Sequence, residues 1–146
     1  MLKNALIFLL GFGCAAGSLL VFHPRWWPEP HSQRKLEGVY LATRSIEGAI
    51  ATGATRPEFD ALVQKLSTEI LLASDRIDAD SDLGAYHLMA YRGILNDYEK
   101  SADAWDREIN SKAKGYTDAA MGSENLVHGL WELAAIKHKS EIATWK

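Results

Sequence analysis

Gly53-Ala54-Thr55-Arg56-Pro57-Glu58-Phe59 is the stretch whose reading decides the fold. A glycine accepts the left-handed backbone that ends a helix. Thr55 with Glu58 three residues later is a capping box, and Pro57 stands early in the first turn, where its missing N–H does no harm. One helix therefore stops and another starts with a single residue between the stop and the cap, which predicts an antiparallel hairpin. Upstream, Leu36, Val39, Thr43, Ile46 and Ile50 lead to Gly53 in alternating steps of three and four, the seam of a helix over residues 32–52 with Ser32 as its cap. Downstream, Phe59, Leu62, Leu66, Ile70, Ala73 and Ile77 form the stripe of the second helix.

The pattern breaks at Asp78-Ala79-Asp80-Ser81-Asp82, whose carboxylates suit the positive end of a third helix over residues 83–109. Its stripe is Leu83, His87, Tyr91, Ile94, Tyr98, Ser101, Trp105 and Ile109. A polar loop with Gly115 and Gly122 follows, holding at most a short turn at 118–121. Ser123 is then the expected cap of a last helix with Leu126, Val127, Leu130, Leu133 and Ala134 as its apolar face. No segment alternates as a strand does. The expected fold is all-α: an antiparallel four-helix bundle over 32–146, arranged up-down-up-down, behind an N-terminal transmembrane helix.

That N-terminal helix is read from residues 5–22, ALIFLLGFGCAAGSLLVF, eighteen residues without a charge. A bilayer core about 30 Å thick needs roughly 17–20 apolar residues. Trp26 and Trp27 follow where an interfacial aromatic belt belongs, and Pro24, Pro28 and Pro30 make residues 23–31 a stiff linker. Residues 1–22 thus read as a membrane anchor or uncleaved signal. A cleaved signal peptide is the first rival, but cutting near Ala16 would leave the apolar Leu19-Leu20-Val21-Phe22 at or near the start of a mature chain. A lipoprotein signal ending at Cys14 is the second, and it has Gly11 where leucine is usual. Counting Lys3 against Arg25, Arg34 and Lys35 would keep the bundle in the cytoplasm. A four-residue head before an apolar run is also how an export signal begins, and the reading taken is a single-pass protein with its bundle on the exported, periplasmic side.

Of the 16 lysines and arginines only Lys3 precedes residue 23, which leaves 15 against 19 acidic residues and a net charge of −4 beyond the anchor. With no basic run, this balance argues against nucleic acid as a partner. The single cysteine, Cys14, lies in the apolar run, so the bundle has neither a disulfide framework nor a cysteine metal site.

Three constellations invite chemistry. His87 lies on the core stripe with Tyr91, Tyr98 and Trp105, a wall that would suit a ligand or haem pocket. The plainer reading is a buried imidazole satisfied by a tyrosine hydroxyl or a carbonyl among aromatics that fill the core. His87→Ala would then cost about 1–3 kcal/mol. Glu124, His128 and Glu132 share one helical face, but that face lies opposite the leucines and reads as solvated, so no metal is expected there. Asp78, Asp80 and Asp82 imitate a calcium loop, with Leu83 where glycine is needed and Met89 where a bidentate glutamate is needed. No nucleophile–base pattern is recognisable.

The expected function is therefore non-enzymatic and without a cofactor. It is a bundle tethered to membrane lipid by residues 5–22 that binds another protein as an accessory or scaffold subunit. The alternative is a ligand- or cofactor-binding, sensor-like bundle with its pocket around His87.

Overall fold

Two glycines show why the chain turns where it does. In the computed structural model, which describes residues 31–77 and 82–144, Gly53 and Gly115 have φ of +79° and +77°. At the first, Ala54 N–H donates to Ala49 O at 2.9 Å and Gly53 N–H to Ile50 O at 3.2 Å. At the second, Tyr116 N–H donates to Ser111 O at 2.9 Å and Gly115 N–H to Lys112 O at 3.1 Å. This is one Schellman stop used twice, each time satisfying carbonyls that a helix end leaves open.

The stops separate α1 (His31–Thr52) from α2 (Arg56–Arg76), and α3 (Asp82–Ala113) from α4 (Thr117–Thr144). The result is an all-helical four-helix bundle, with no strand among the described residues. The start of α2 is fixed as the sequence requires: the Glu58 carboxylate accepts from Thr55 N–H at 2.8 Å and from Thr55 Oγ1 at 2.7 Å. The Thr55 hydroxyl, then its backbone N–H, holds the Glu58 carboxyl below the usual carboxylate value.

Along α3 and α4 the partners run in opposite senses. His87 meets Glu141, Asp97 meets Lys137, Ser101 meets Trp131 and Lys112 meets Glu124. The core draws on every helix: Leu36, Val39 and Ile46 from α1, Phe59, Leu66 and Ile70 from α2, Tyr91, Ile94 and Tyr98 from α3, and Ala134 from α4. Full burial of one such side chain contributes about 1.5–3 kcal/mol. A helix cap contributes typically about 1 kcal/mol. Packing therefore stabilises the bundle, while the caps choose where it folds back.

The second half departs from expectation in two ways. α3 continues to Ala113 and α4 begins at Thr117, so residues 118–121 and Gly122 are helical and Ser123 caps nothing. An interior glycine costs only about 1 kcal/mol. Gly122 is no stop, and the turn goes to Gly115, whose backbone is left-handed. The inward face of α4 keeps only Val127 and Ala134 of the expected apolar face. Val127, Ala134, His138 and Glu141 are buried and Trp131 is partly so, whereas Leu126 and Leu133 are 45 % and 41 % exposed. α4 carries apolar residues most of the way round, so periodicity alone could not choose its inner face.

The two hairpins are unequal in length. Glu108 and Val127 stand beside Gly53 and Ala54 in one recess. At 1.5 Å per residue, α3 and α4 run on about 8 and 15 Å past that level. Residues 1–30, with the expected anchor, linker and Trp26 and Trp27, lie outside the described residues, as do 78–81 of the acidic loop. None of the described helices is long and apolar enough to cross a membrane.

Candidate functional site

The α3 stripe places its aromatic and polar residues inward, but not in one place. His87 and Trp105 are eighteen residues apart on one helix, about 27 Å along its axis. His87 is 3 % exposed, and its Nδ1 pairs with the carboxylate of Glu141, itself 5 % exposed. A carboxylate from the far end of α4 takes the place where a tyrosine hydroxyl or a carbonyl was expected. Tyr91 packs its ring on His138 at 5.8 Å, and Tyr40 approaches the same imidazole from α1 at 5.5 Å. His138 Nδ1 lies 2.8 Å from Glu47 Oε1, which joins α4 to α1. Two imidazole–carboxylate pairs, one buried and one partly buried, thus stand one turn apart on α4, with Tyr91 beside both.

The middle of the bundle continues this polar lining. Lys137 Nζ reaches the buried Asp97 carboxylate. Ser101 Oγ donates to Tyr98 O at 2.7 Å and accepts from Trp131 Nε1 at 3.0 Å. Thr43 Oγ1 donates to Val39 O at 2.9 Å. Both buried hydroxyls are spent on backbone carbonyls of their own helices, so neither is presented to a histidine as a nucleophile would be. Tyr98 OH and His138 Nε2 are buried without a hydrogen-bond partner among the described residues.

Burial, then the carboxylates of Glu141 and Glu47 with Tyr40 between them in weight, raises the Tyr91 phenol far above its ordinary range. Tyr98 is raised in the same way by burial, then by Glu47 and Asp97. The folded state keeps these protons when the unfolded chain has lost them. Their contribution is therefore complete below pH about 10, the ordinary phenol value, and is lost as pH rises beyond it. In an alkaline titration the phenolate absorbance of Tyr91 and Tyr98 should appear only together with loss of helical circular dichroism. The Tyr91→Phe/Tyr98→Phe variant should lack that late component. Ionisation of all five tyrosines ahead of unfolding would sink this prediction.

Comparison with known protein families, with characterised proteins and with solved structures finds no match. The site must therefore be read from its own geometry.

At the hairpin end, Phe59, Trp105 and Trp131 form a triangle. The indoles are 5.4 Å apart and inclined at 79°, and each lies 5.8 Å from the phenyl ring. They line a recess of about 290 Å³ with Ile50, Val127, Glu108, Glu124 and His128. Trp105 thus belongs to a different place from His87 and Tyr91, while Tyr98 touches both regions through its edge-on contact with Phe59 at 6.1 Å. Glu124 and His128 border this recess, while His128 and Glu132 stay exposed as expected of a solvated face. Among the described residues no group of three or more histidine, cysteine, aspartate and glutamate side chains could hold a metal ion.

Sequence reasoning did not single out Glu47, Asp97, Glu108, Trp131, His138 or Glu141 as site residues. One signal was present in the chain: Val127, Trp131, Ala134, His138 and Glu141 follow one another in steps of four, three, four and three. That stripe competes with the leucine stripe, and two of its members are polar.

Proposed function

We propose that this protein is a non-enzymatic accessory or scaffold subunit, anchored in the membrane by residues 5–22, whose up-down-up-down bundle holds a helix of a partner protein on the exported, periplasmic side. The observation that carries the reading is the outer face of α4. Leu126, Leu133 and Ile136 are 45 %, 41 % and 65 % exposed. With Gly122 and Gly129 they make the sequence Gly122, Leu126, Gly129, Leu133, Ile136, again in steps of four and three. This is the spacing by which one helix seats knobs into another. A Cβ added at either glycine meets nothing within 4 Å, so both leave open room for a close-packed neighbour. The uncharged run and the Trp26–Trp27 pair support the anchor.

The test uses full-length protein in native membranes, with a photo-crosslinking residue at position 133. The expected product is one heterologous adduct, retained in the membrane after carbonate washing. Gly129→Ala should raise helix stability by about 0.5–1 kcal/mol. The bulkier Gly129→Leu should abolish the adduct without lowering the melting temperature. Only self-adducts, no adduct, or release by carbonate would end the reading. A mature chain starting near Leu19 would end its anchor.

The alternative is a ligand- or cofactor-binding, sensor-like bundle centred on His87. One observation favours it: a carboxylate on Nδ1 is how a ligating imidazole is commonly oriented. A bound absorbance band or a mass-shifted protein, lost in His87→Gln, would make it the better account.

A further inference from the structure

The recess at the hairpin end combines two features. Three aromatic side chains from two hairpins line it, and two carboxylates border it. The side chain of Glu108 is only 11 % exposed, although a buried carboxylate is costly without a cationic partner. Its cation is Lys112, whose Nζ lies 2.5 Å from Glu108 Oε1 and 3.6 Å from Glu124 Oε2. That lysine is 57 % exposed, so the cation is held at the rim while both carboxylates border the recess. The hydrogen bond to Glu108, and then the charges of Glu108 and Glu124, hold the Lys112 ammonium above its usual value. The field at this rim favours positive charge.

We propose that the Phe59–Trp105–Trp131 recess is a binding site for a small organic cation of the methylated-ammonium class. Its charge sits between Glu108 and Glu124 in place of Lys112, and its methyl groups lie against the indole faces. Ring quadrupoles attract such a cation, tryptophan best of all, and the apolar methyl shell lowers the dehydration cost that a bare ammonium would carry. A metal ion is the wrong ligand, because indoles offer it no lone pair and Glu108, Glu124 and His128 do not come together as a group that could hold one. At about 290 Å³ the recess is at the low end of ligand pockets, which run from about 300 to 1,000 Å³, so it suits a small head group and not a nucleotide or haem. His128, with its ring 5.3 Å from Trp131, borders the same space and makes the edge-on contact that fixes this indole. Trp131 is held from behind by its bond to Ser101.

The class has two natural sources, a free quaternary amine and a trimethylated lysine side chain. Full-length protein in maltoside micelles is titrated by calorimetry with choline, with trimethyllysine amide, and with 3,3-dimethylbutanol, the neutral isostere of choline. Saturable binding of either cation, about tenfold or more tighter than the neutral isostere, is the expected result, and the tighter of the two cations names the source. Lys112→Met, which removes the tethered competitor, should tighten binding. Glu124→Gln, at an exposed position, should weaken it without changing the melting temperature, and Trp105→Leu should abolish it. Equal affinity for the neutral isostere overturns the proposal. So does failure of both cations to bind the Lys112→Met protein. Because Trp105→Leu also alters the core, the Glu124→Gln result stands on its own: unchanged affinity there overturns the proposal as well.

Discussion

His87→Leu is expected to destabilise the bundle by about 3 kcal/mol, the cost of leaving the buried Glu141 side chain without its hydrogen-bond partner. His87 and Glu141 are 3 % and 5 % exposed, so the carboxylate that loses its imidazole stays in a low-dielectric interior. The figure lies at the upper end of the range of about 1–3 kcal/mol for a buried group left unsatisfied, because both partners are enclosed. The sharper expectation concerns the pair. Replacing both partners of a buried hydrogen bond by apolar groups of similar shape can be nearly neutral or stabilising. His87→Leu/Glu141→Leu should therefore recover most of the loss. Denaturant unfolding of the two single variants and the double variant gives the coupling directly. Additive losses would mean that the two side chains do not depend on each other and that the contact is incidental.

Phe59→Ala should cost a comparable 3–5 kcal/mol. Phe59 is fully buried at the start of α2 and makes tilted or edge-on contacts with Tyr98, Trp105 and Trp131. Removing it opens a cavity walled by α3 and α4, whose backbones cannot close in without breaking their own antiparallel packing. Phe59→Leu, which keeps most of the volume, should cost much less. The check is urea unfolding followed by tryptophan emission, since both indoles that touch Phe59 report on the void. A loss below about 1 kcal/mol would place the phenyl ring outside the cooperative core.

Where a position was read correctly, local chemistry had decided it. Gly53, Thr55, Pro57 and Glu58 act on their own backbone, and the stripes of α1 and α2 each have one apolar face, so nothing distant could overrule them. The stripe of α3 held from His87 to Ser101 for the same reason. The start of α4 was misread because Gly122 and Ser123 look like punctuation, and helical propagation outweighs both. Its inner face was read correctly only at Val127 and Ala134, because leucines advertise burial more loudly than Trp131, His138 and Glu141. Those three are drawn inward by partners on α1 and α3, and no local rule sees Ser101, Glu47 or His87 from there. The same blindness hid Glu108, whose recess with Glu124 exists only once the hairpins lie side by side.

The doubled Schellman stop has a consequence for how the chain finds its fold. Each hairpin closes across three residues, so its two helices meet at almost no loop-closure entropy. What remains is one long-range choice, the way the first hairpin lies on the second. Glu47 to His138, Arg56 to Asp106, and Phe59 to Tyr98, Trp105 and Trp131 are the contacts that settle it. They join residues 39 to 91 positions apart in sequence, and a chain with so few distant agreements to reach has little to search.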